Sequence, residues 1–204
     1  RDNKAHTGLY SYKTQSNGET VYSLSTSSGT SQTDLSKALQ PGTYKISFWH
    51  KPSIGLTSNP SLLPQVIFNG NTIQPSEQVD AACWRLLNYY IEVGVNQNVS
   101  VQIKQNGSGA INFDDFRLHP AESSMTTYVY DHLGYLTHIN GSNNLSTAYV
   151  YDDAGNLKAI YNEIQNMHQD GSKVMVDPKD DDSIIGGFIL KSSYRRNFKG
   201  HTYQ

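Results

Sequence analysis

From Gly8 to about residue 118 the chain alternates short apolar runs with turn residues, at the spacing expected of a β-sandwich or barrel. The clearest run is Thr43 to Lys51, launched by the Pro41-Gly42 turn, in which Tyr44, Ile46 and Phe48 alternate with Lys45 and Ser47. One side of such a strand packs and the other stays polar. Gln65 to Phe68, an Asn69-Gly70 turn and Asn71 to Gln74 predict a hairpin. Leu86 to Val93 puts Leu87, Tyr89, Ile91 and Val93 on one face, and Asn98 to Lys104 does the same with Val99, Val101 and Ile103. Residues 52–64, which hold Pro52, Pro60 and Pro64, read as a long surface loop.

The last strand of this series, Ala110 to Leu118, breaks its own rhythm. Ile111 and Phe113 share a face, whereas Phe116 and Leu118 fall on the opposite parity, so the apolar phase switches at Asp114-Asp115. An extra residue in one strand shifts the phase in this way, which predicts a bulge or twist at the acidic pair.

Beyond His119-Pro120 a different pattern begins. Tyr128-Val129-Tyr130-Asp131-His132-Leu133-Gly134-Tyr135-Leu136 recurs 21 positions later as Tyr149-Val150-Tyr151-Asp152-Asp153-Ala154-Gly155-Asn156-Leu157. Tyr, Val, Tyr, Asp, Gly and Leu match at equal offsets. A fixed period of this kind marks units that bury their apolar faces by stacking on neighbours. Each unit reads as strand, Asp-x-x-Gly turn, strand, giving a pair of β-hairpins over residues 125–161. After about residue 162 the pattern fades into an acidic run (Asp177, Asp180, Asp181, Asp182), a short apolar stretch Ile184 to Leu190 and a basic end. This reads as a chain end or linker with one possible strand.

Composition narrows the class. Charged residues make up 17% of the chain while Tyr (14) and Gly (16) are abundant, the profile of an all-β protein with very little helix. A net charge of −2 gives no electrostatic reason to expect nucleic acid as a partner. The apolar stretch Ile184 to Leu190 is far too short to span a bilayer, so no membrane insertion is expected. The single cysteine, Cys83, excludes an internal disulfide and reads as a small buried apolar group beside Trp84. With Arg1 first and only two repeats, the chain is expected to be a piece of a longer one.

The repeat, Tyr-x-Tyr-Asp-x-x-Gly-x-Leu, resembles the YD repeat of bacterial Rhs proteins, relatives of the teneurin shell. Phe113 to Pro120, running through Ala121 into Met125-Thr126-Thr127-Tyr128, is similar to the junction at which a carbohydrate-binding-module-like jelly roll passes into such repeats. Ala5 to Ser11 and Gly42 to Trp49 resemble the first strand and an inner strand of these modules. The family usually places Arg before the repeat leucine, where this chain has Tyr135 and Asn156. The resemblance implies an all-β chain of three parts. Residues 1–121 would form a jelly-roll β-sandwich, residues 122–163 two YD hairpins, and residues 164–204 a C-terminal tail. It also implies a bacterial cell-surface or extracellular location, with the rest of the parent repeat protein as a partner.

Two candidate sites follow. Jelly rolls of this kind often hold a structural calcium, and the resemblance places it between Asp114 or Asp115 and carbonyls near His6 to Gly8, with Asp2 alongside. The alternative is a solvated acidic pair, or one capped by Arg117. The second site is a glycan platform. Trp49 lies on the parity opposite Tyr44, Ile46 and Phe48, and Trp84 and Tyr90 lie opposite Leu87 and Tyr89, so an aromatic ring on an open face would stack on a sugar. If both faces of the inner strand are covered, Trp49 is core instead. Catalysis has little support: there is no His-Glu-x-x-His, no Gly-x-Ser-x-Gly and no phosphate loop, and adjacent aspartates in a strand point to opposite faces. The chain therefore reads as a non-catalytic structural or adhesive module with a glycan as its candidate ligand. Its alternatives are a ligand-free scaffold piece of a toxin-delivery shell and an accessory domain of a carbohydrate-active enzyme.

Overall fold

A computed structural model describes residues 5–25, 39–52, 63–95, 97–106 and 109–163 in full, and beyond them the backbone of four short strands. No helix occurs among the described residues. Nine strands precede the repeats: β1 (Tyr12–Lys13), β2 (Thr20–Ser25), β3 (Gly42–Pro52), β4 (Gln65–Phe68), β5 (Asn71–Ile73), β6 (Glu77–Ala81), β7 (Trp84–Val93), β8 (Ser100–Lys104) and β9 (Ile111–Pro120). They form two antiparallel sheets, ordered β1-β9-β3-β7-β6 and β2-β8-β4-β5. Tyr44, Ile46 and Phe48 of β3 and Leu87, Tyr89 and Ile91 of β7 meet Val66 of β4 and Val101 and Ile103 of β8 in one buried core. The alternation read from the sequence is what builds this core, because each strand gives every second side chain to the space between the sheets.

The phase break in β9 is a bulge. Ser47 of β3 pairs with Arg117 and Trp49 pairs with Asp114, so two residues of β9 stand opposite Phe48 alone. Asp115 takes a φ of +48°, the left-handed region that a side chain rarely adopts. The shift has a consequence on each face. Leu118 regains the sandwich core, while Arg117 joins Trp49 on the outward face of the five-stranded sheet.

The repeats form a third sheet on that outward face. Hairpin one is β10 (Thr127–Tyr130) and β11 (Leu136–Asn140); hairpin two is β12 (Ser146–Tyr151) and β13 (Leu157–Glu163). Four strands follow, β14 (His168–Gln169), β15 (Ser172–Lys173), β16 (Ile184–Ile185) and β17 (Phe188–Ser193). The sheet order is β10-β11-β12-β13-β17-β16, and among the described residues β14 and β15 pair with each other alone. The tail, expected to hold at most one strand, has four short ones among the described residues, and two of them, β17 and β16, extend the hairpin sheet.

The two hairpins share their turn chemistry. Asp131 Oδ1 accepts from the main-chain N–H of Leu133 and Tyr135, both at 2.9 Å, and Asp152 Oδ1 accepts from those of Ala154 (3.0 Å) and Asn156 (2.8 Å). Gly134 and Gly155 take φ of +86° and +78°, and both hairpins shift register at the same offset, between Val129 and Tyr130 and between Val150 and Tyr151. The aspartate fixes the turn and the glycine supplies the left-handed residue it needs.

Two expectations are corrected. Cys83 is exposed rather than buried, because it sits in the tight turn between β6 and β7, next to Ala82 at φ +51°. Residues 6–9 form bends rather than a first strand, since the main-chain N–H groups of His6 and Thr7 go to a carboxylate instead of a ladder.

Candidate functional site

Six of the sequence-selected residues, His6, Gly8, Trp49, Trp84, Asp114 and Asp115, converge where the hairpin sheet meets the sandwich. His6 enters between the two and is 8% exposed. Its Nδ1 lies 2.6 Å from Asp115 Oδ2 and its Nε2 lies 2.6 Å from Glu163 Oε1. With a carboxylate at each nitrogen, both carry protons and the ring is an imidazolium. Burial pulls the His6 pKa down, but hydrogen bonds and charge from Asp115 and Glu163 overcome it and raise the value to about 9. The ring stacks on Trp49 with centroids 4.1 Å apart at 18°, and Trp84 meets it edge-on at 5.6 Å.

The bulge aims both aspartates at the incoming segment. Asp114 Oδ2 accepts from the N–H of His6 (2.7 Å) and of Thr7 (3.3 Å). Asp115 Oδ1 accepts from Thr7 Oγ1 (2.7 Å) and Asn140 Nδ2 (3.0 Å). Burial, then the charge of Asp115, pushes Asp114 up to about 6. Asp115 moves the other way: burial would raise it, yet the His6 and Thr7 contacts hold it below the usual carboxylate range. The left-handed backbone at Asp115 is therefore what turns two adjacent carboxylates, normally on opposite faces, toward one chain segment.

Arg117 and Asn144 complete the contact. The guanidinium of Arg117, 2% exposed, donates to the carbonyls of Met125 (3.2 Å), Gly141 (2.6 Å) and Asn140 (2.9 Å) and to Thr127 Oγ1 (2.9 Å). Its fork of donors collects main-chain carbonyls just before β10 and at the end of β11. Asn144, in the β11–β12 turn at φ +63°, accepts from Trp49 Nε1 at 2.9 Å and donates to the Asp115 carbonyl at 3.1 Å. Leu145 beside it packs on the buried cluster of Trp49, Ala81, Trp84 and Leu86. A closed, hydrogen-bonded seam results.

Trp49 is fully buried and Trp84 is 6% exposed, so neither offers a ring to a sugar at the surface; the hairpin sheet covers the face on which they lie. Of the three expected stacking residues, Tyr90 alone is open, 46% exposed on the outward face opposite Lys45. The calcium set is also placed. Asp114 and Asp115 face N–H and O–H donors, the main chain at His6 and Thr7 turns N–H groups rather than carbonyls toward Asp114, and an imidazolium already stands against Asp115. Gly8, at φ +68°, packs so closely on Val129 that a Cβ there would lie 2.9 Å from its Cγ1. Asp2 lies outside the described residues. So arranged, the set does not present the oxygen shell that calcium takes, and no group of three or more His, Cys, Asp or Glu residues suited to a metal occurs among the described residues.

The alternative of a pair capped by Arg117 also takes a different form. Arg117 binds carbonyls of the hairpin sheet, and His6 is the cation in direct contact with Asp115. Sequence reading missed His6 as a cation, and missed Glu163 and Asn144 altogether, because these partners lie 108, 157 and 95 positions apart along the chain. The parity of Arg117 after the phase break was the one local sign of the seam.

Thr7 Oγ1 donates a hydrogen bond to Asp115, and the same carboxylate accepts from His6. A shallow cavity of about 240 Å³ at the edge of the sandwich, between Pro64, Gln65, Ile73 and Pro75, has no ionisable side chain in its lining. No helix among the described residues is long and apolar enough to cross a membrane. No family model matches the chain, and no curated protein matches it.

Proposed function

We propose that the chain is a non-catalytic structural module of a secreted or cell-surface Rhs/YD-repeat protein, in which a jelly-roll-type sandwich is locked rigidly to the hairpins of a repeat sheet. The observation that carries this reading is the enclosure of Arg117, on the last sandwich strand, by four acceptors of the hairpin segment. Any reorientation of the two sheets would leave this buried guanidinium and its acceptors without partners, and that cost holds them in one arrangement. The shared turn geometry of the two hairpins supports the repeat assignment. The outward-facing tryptophans are consumed in the seam, which favours a scaffold over a sugar-binding adhesin.

Backbone ¹⁵N relaxation tests the reading. A rigid junction gives residues 42–120 and 127–163 one rotational correlation time, and two distinct times would sink it. A second reading, glycan stacking, keeps one foothold in the exposed Tyr90. Retention on a glycan array that is lost in Tyr90→Ala would establish it; the scaffold reading expects no retention.

A further inference from the structure

Four Asn-Gly pairs occur in the chain, at Asn17, Asn69, Asn106 and Asn140. Such a pair is chemically labile, because a glycine has no Cβ to hinder the approach of its nitrogen to the asparagine side-chain carbonyl. The fold separates the pairs by what holds their reacting groups. Gly18 donates its N–H to the Gln105 carbonyl at 3.0 Å, although Asn17 and Gly18 are both exposed. Gly141 donates to the Leu145 carbonyl at 2.9 Å, and the fully buried Asn140 donates its Nδ2 to Asp115 Oδ1 at 3.0 Å. Gly107 lies outside the described residues.

Asn69-Gly70 differs on each count. It is the two-residue turn between β4 and β5, at φ of +47° and +83°, with Phe68 paired to Asn71 across it. Gly70 is exposed, and its N–H has no acceptor among the described residues. Asn69 Oδ1 accepts from the Ser100 N–H at 2.7 Å, and the Asn69 N–H donates to the Ser100 carbonyl at 2.8 Å. Nothing described competes for the attacking nitrogen, while the carbonyl it would attack is held and polarised by a main-chain donor. A donor at that oxygen stabilises the negative charge that develops there on attack.

We infer that Asn69-Gly70 is a self-modification site, at which the folded chain deamidates ahead of the Asn17 and Asn140 pairs. The Gly70 nitrogen gives its proton to hydroxide and bonds to Asn69 Cγ, and the oxyanion formed on Oδ1 is held by the Ser100 N–H. Collapse breaks the Cγ–Nδ2 bond; Nδ2 takes a proton from water and leaves as ammonia, and a five-membered succinimide remains. Water then opens the ring at either carbonyl. Cleavage at Cγ restores the ordinary main chain with an aspartate, and cleavage at the main-chain carbonyl gives isoaspartate, whose chain runs through Cβ and Cγ. Isoaspartate inserts one extra carbon into a two-residue turn. Phe68 and Asn71 then lose their register, and β5, the last strand of its sheet, comes away from β4.

Peptide mapping by mass spectrometry tests this on the intact chain, incubated at mildly alkaline pH with and without denaturing urea. In urea the Asn17, Asn69 and Asn140 pairs share the same reacting atoms and should convert at similar rates. In the folded chain Asn69 should convert at least about fivefold faster than either of the others, the worth of the one hydrogen bond that Gly18 or Gly141 must break first. The aged fraction that carries isoaspartate should lose the cross-strand NOE contacts of Val66 with Ile73, whereas Asn69→Asp, with its main chain intact, should keep them. Conversion at Asn69 no faster than at Asn17 or Asn140 in the folded chain overturns the inference. So does an isoaspartate form that keeps the β4–β5 contacts, or an equal loss of them in Asn69→Asp.

Discussion

His6 lies flat on Trp49, ring centroids 4.1 Å apart, with a carboxylate at each imidazole nitrogen. An imidazolium over an indole face gains cation–π attraction, strongest when water is excluded as it is here. The pair marks the centre of the seam between sandwich and hairpin sheet, and it converts Trp49 from a candidate ligand platform into a structural residue. Trp49→Ala should therefore destabilise the chain by about 3–5 kcal/mol, as expected for a fully buried tryptophan. Urea unfolding measures this. A loss below about 0.5 kcal/mol, typical of a surface substitution, would contradict the burial.

Stability should fall on both sides of neutrality, and for different residues. His6 has its folded pKa raised from 6.5 to about 9, so its contribution is complete below pH 6.5 and is lost as pH rises through 9. His50 is the reverse. Buried with neither ring nitrogen hydrogen-bonded among the described residues, it is pushed down to about 3 by burial first and then by the charge of Arg85. Its contribution is present above pH 6.5 and is lost as pH falls toward 3. Asp114, raised from 3.8 to about 6, acts within the acid range instead: its contribution is complete below pH 3.8 and is lost as pH rises through 6, which offsets part of the gain from His50 without reversing it. Urea midpoints at pH 5, 7 and 9.5 should peak at the middle value. His6→Gln should be weaker throughout and show a smaller drop from pH 7 to 9.5; an unchanged drop would count against the imidazolium.

The two turn glycines should respond differently to the same change. Both hold positive φ, so alanine at either costs about 1 kcal/mol of backbone strain. At Gly134 nothing more is lost, because no described atom lies within 4 Å of the new methyl. At Gly155 the new methyl also meets the Tyr135 ring, and Gly155→Ala should cost at least about 1 kcal/mol more. Adding Tyr135→Ala should abolish that excess in a double-mutant cycle. Equal costs at the two glycines would mean that the hairpins do not stack as described.

Chelation should change little. The positive charge opposite Asp115 is an imidazolium, and Asp114 is satisfied by main-chain N–H groups. EDTA is expected to leave the melting temperature unmoved within a degree or so. A drop of several degrees together with one bound calcium per chain would show that oxygen ligands, not His6, face these aspartates.

Much of the sandwich was legible because its strands alternate cleanly, as in Tyr44, Ile46 and Phe48, and the bulge was legible because alternation failed at Asp114-Asp115. The hairpins announced themselves through the repeated Asp and Gly. The seam was not legible. Parity puts Trp49 on the outward face but says nothing of what covers that face, and only the tertiary fold brings Leu145 and Asn144 over it. The ionic partners of His6 depend on the same packing, so no local pattern announced them. Cys83 misled for a simpler reason: a turn of two residues looks like a strand start when read one position early.

The rigid seam is the central claim, and Arg117 tests it most directly. Arg117→Met keeps much of the side-chain volume while stripping donors from the carbonyls of Met125, Gly141 and Asn140, and each acceptor left buried and unpaired costs about 1–3 kcal/mol. Native-state hydrogen exchange on this variant should show amides of β10 to β13 losing protection at least tenfold, with sandwich amides of β3 and β7 much less affected. Unchanged protection in β10 to β13 would contradict the account.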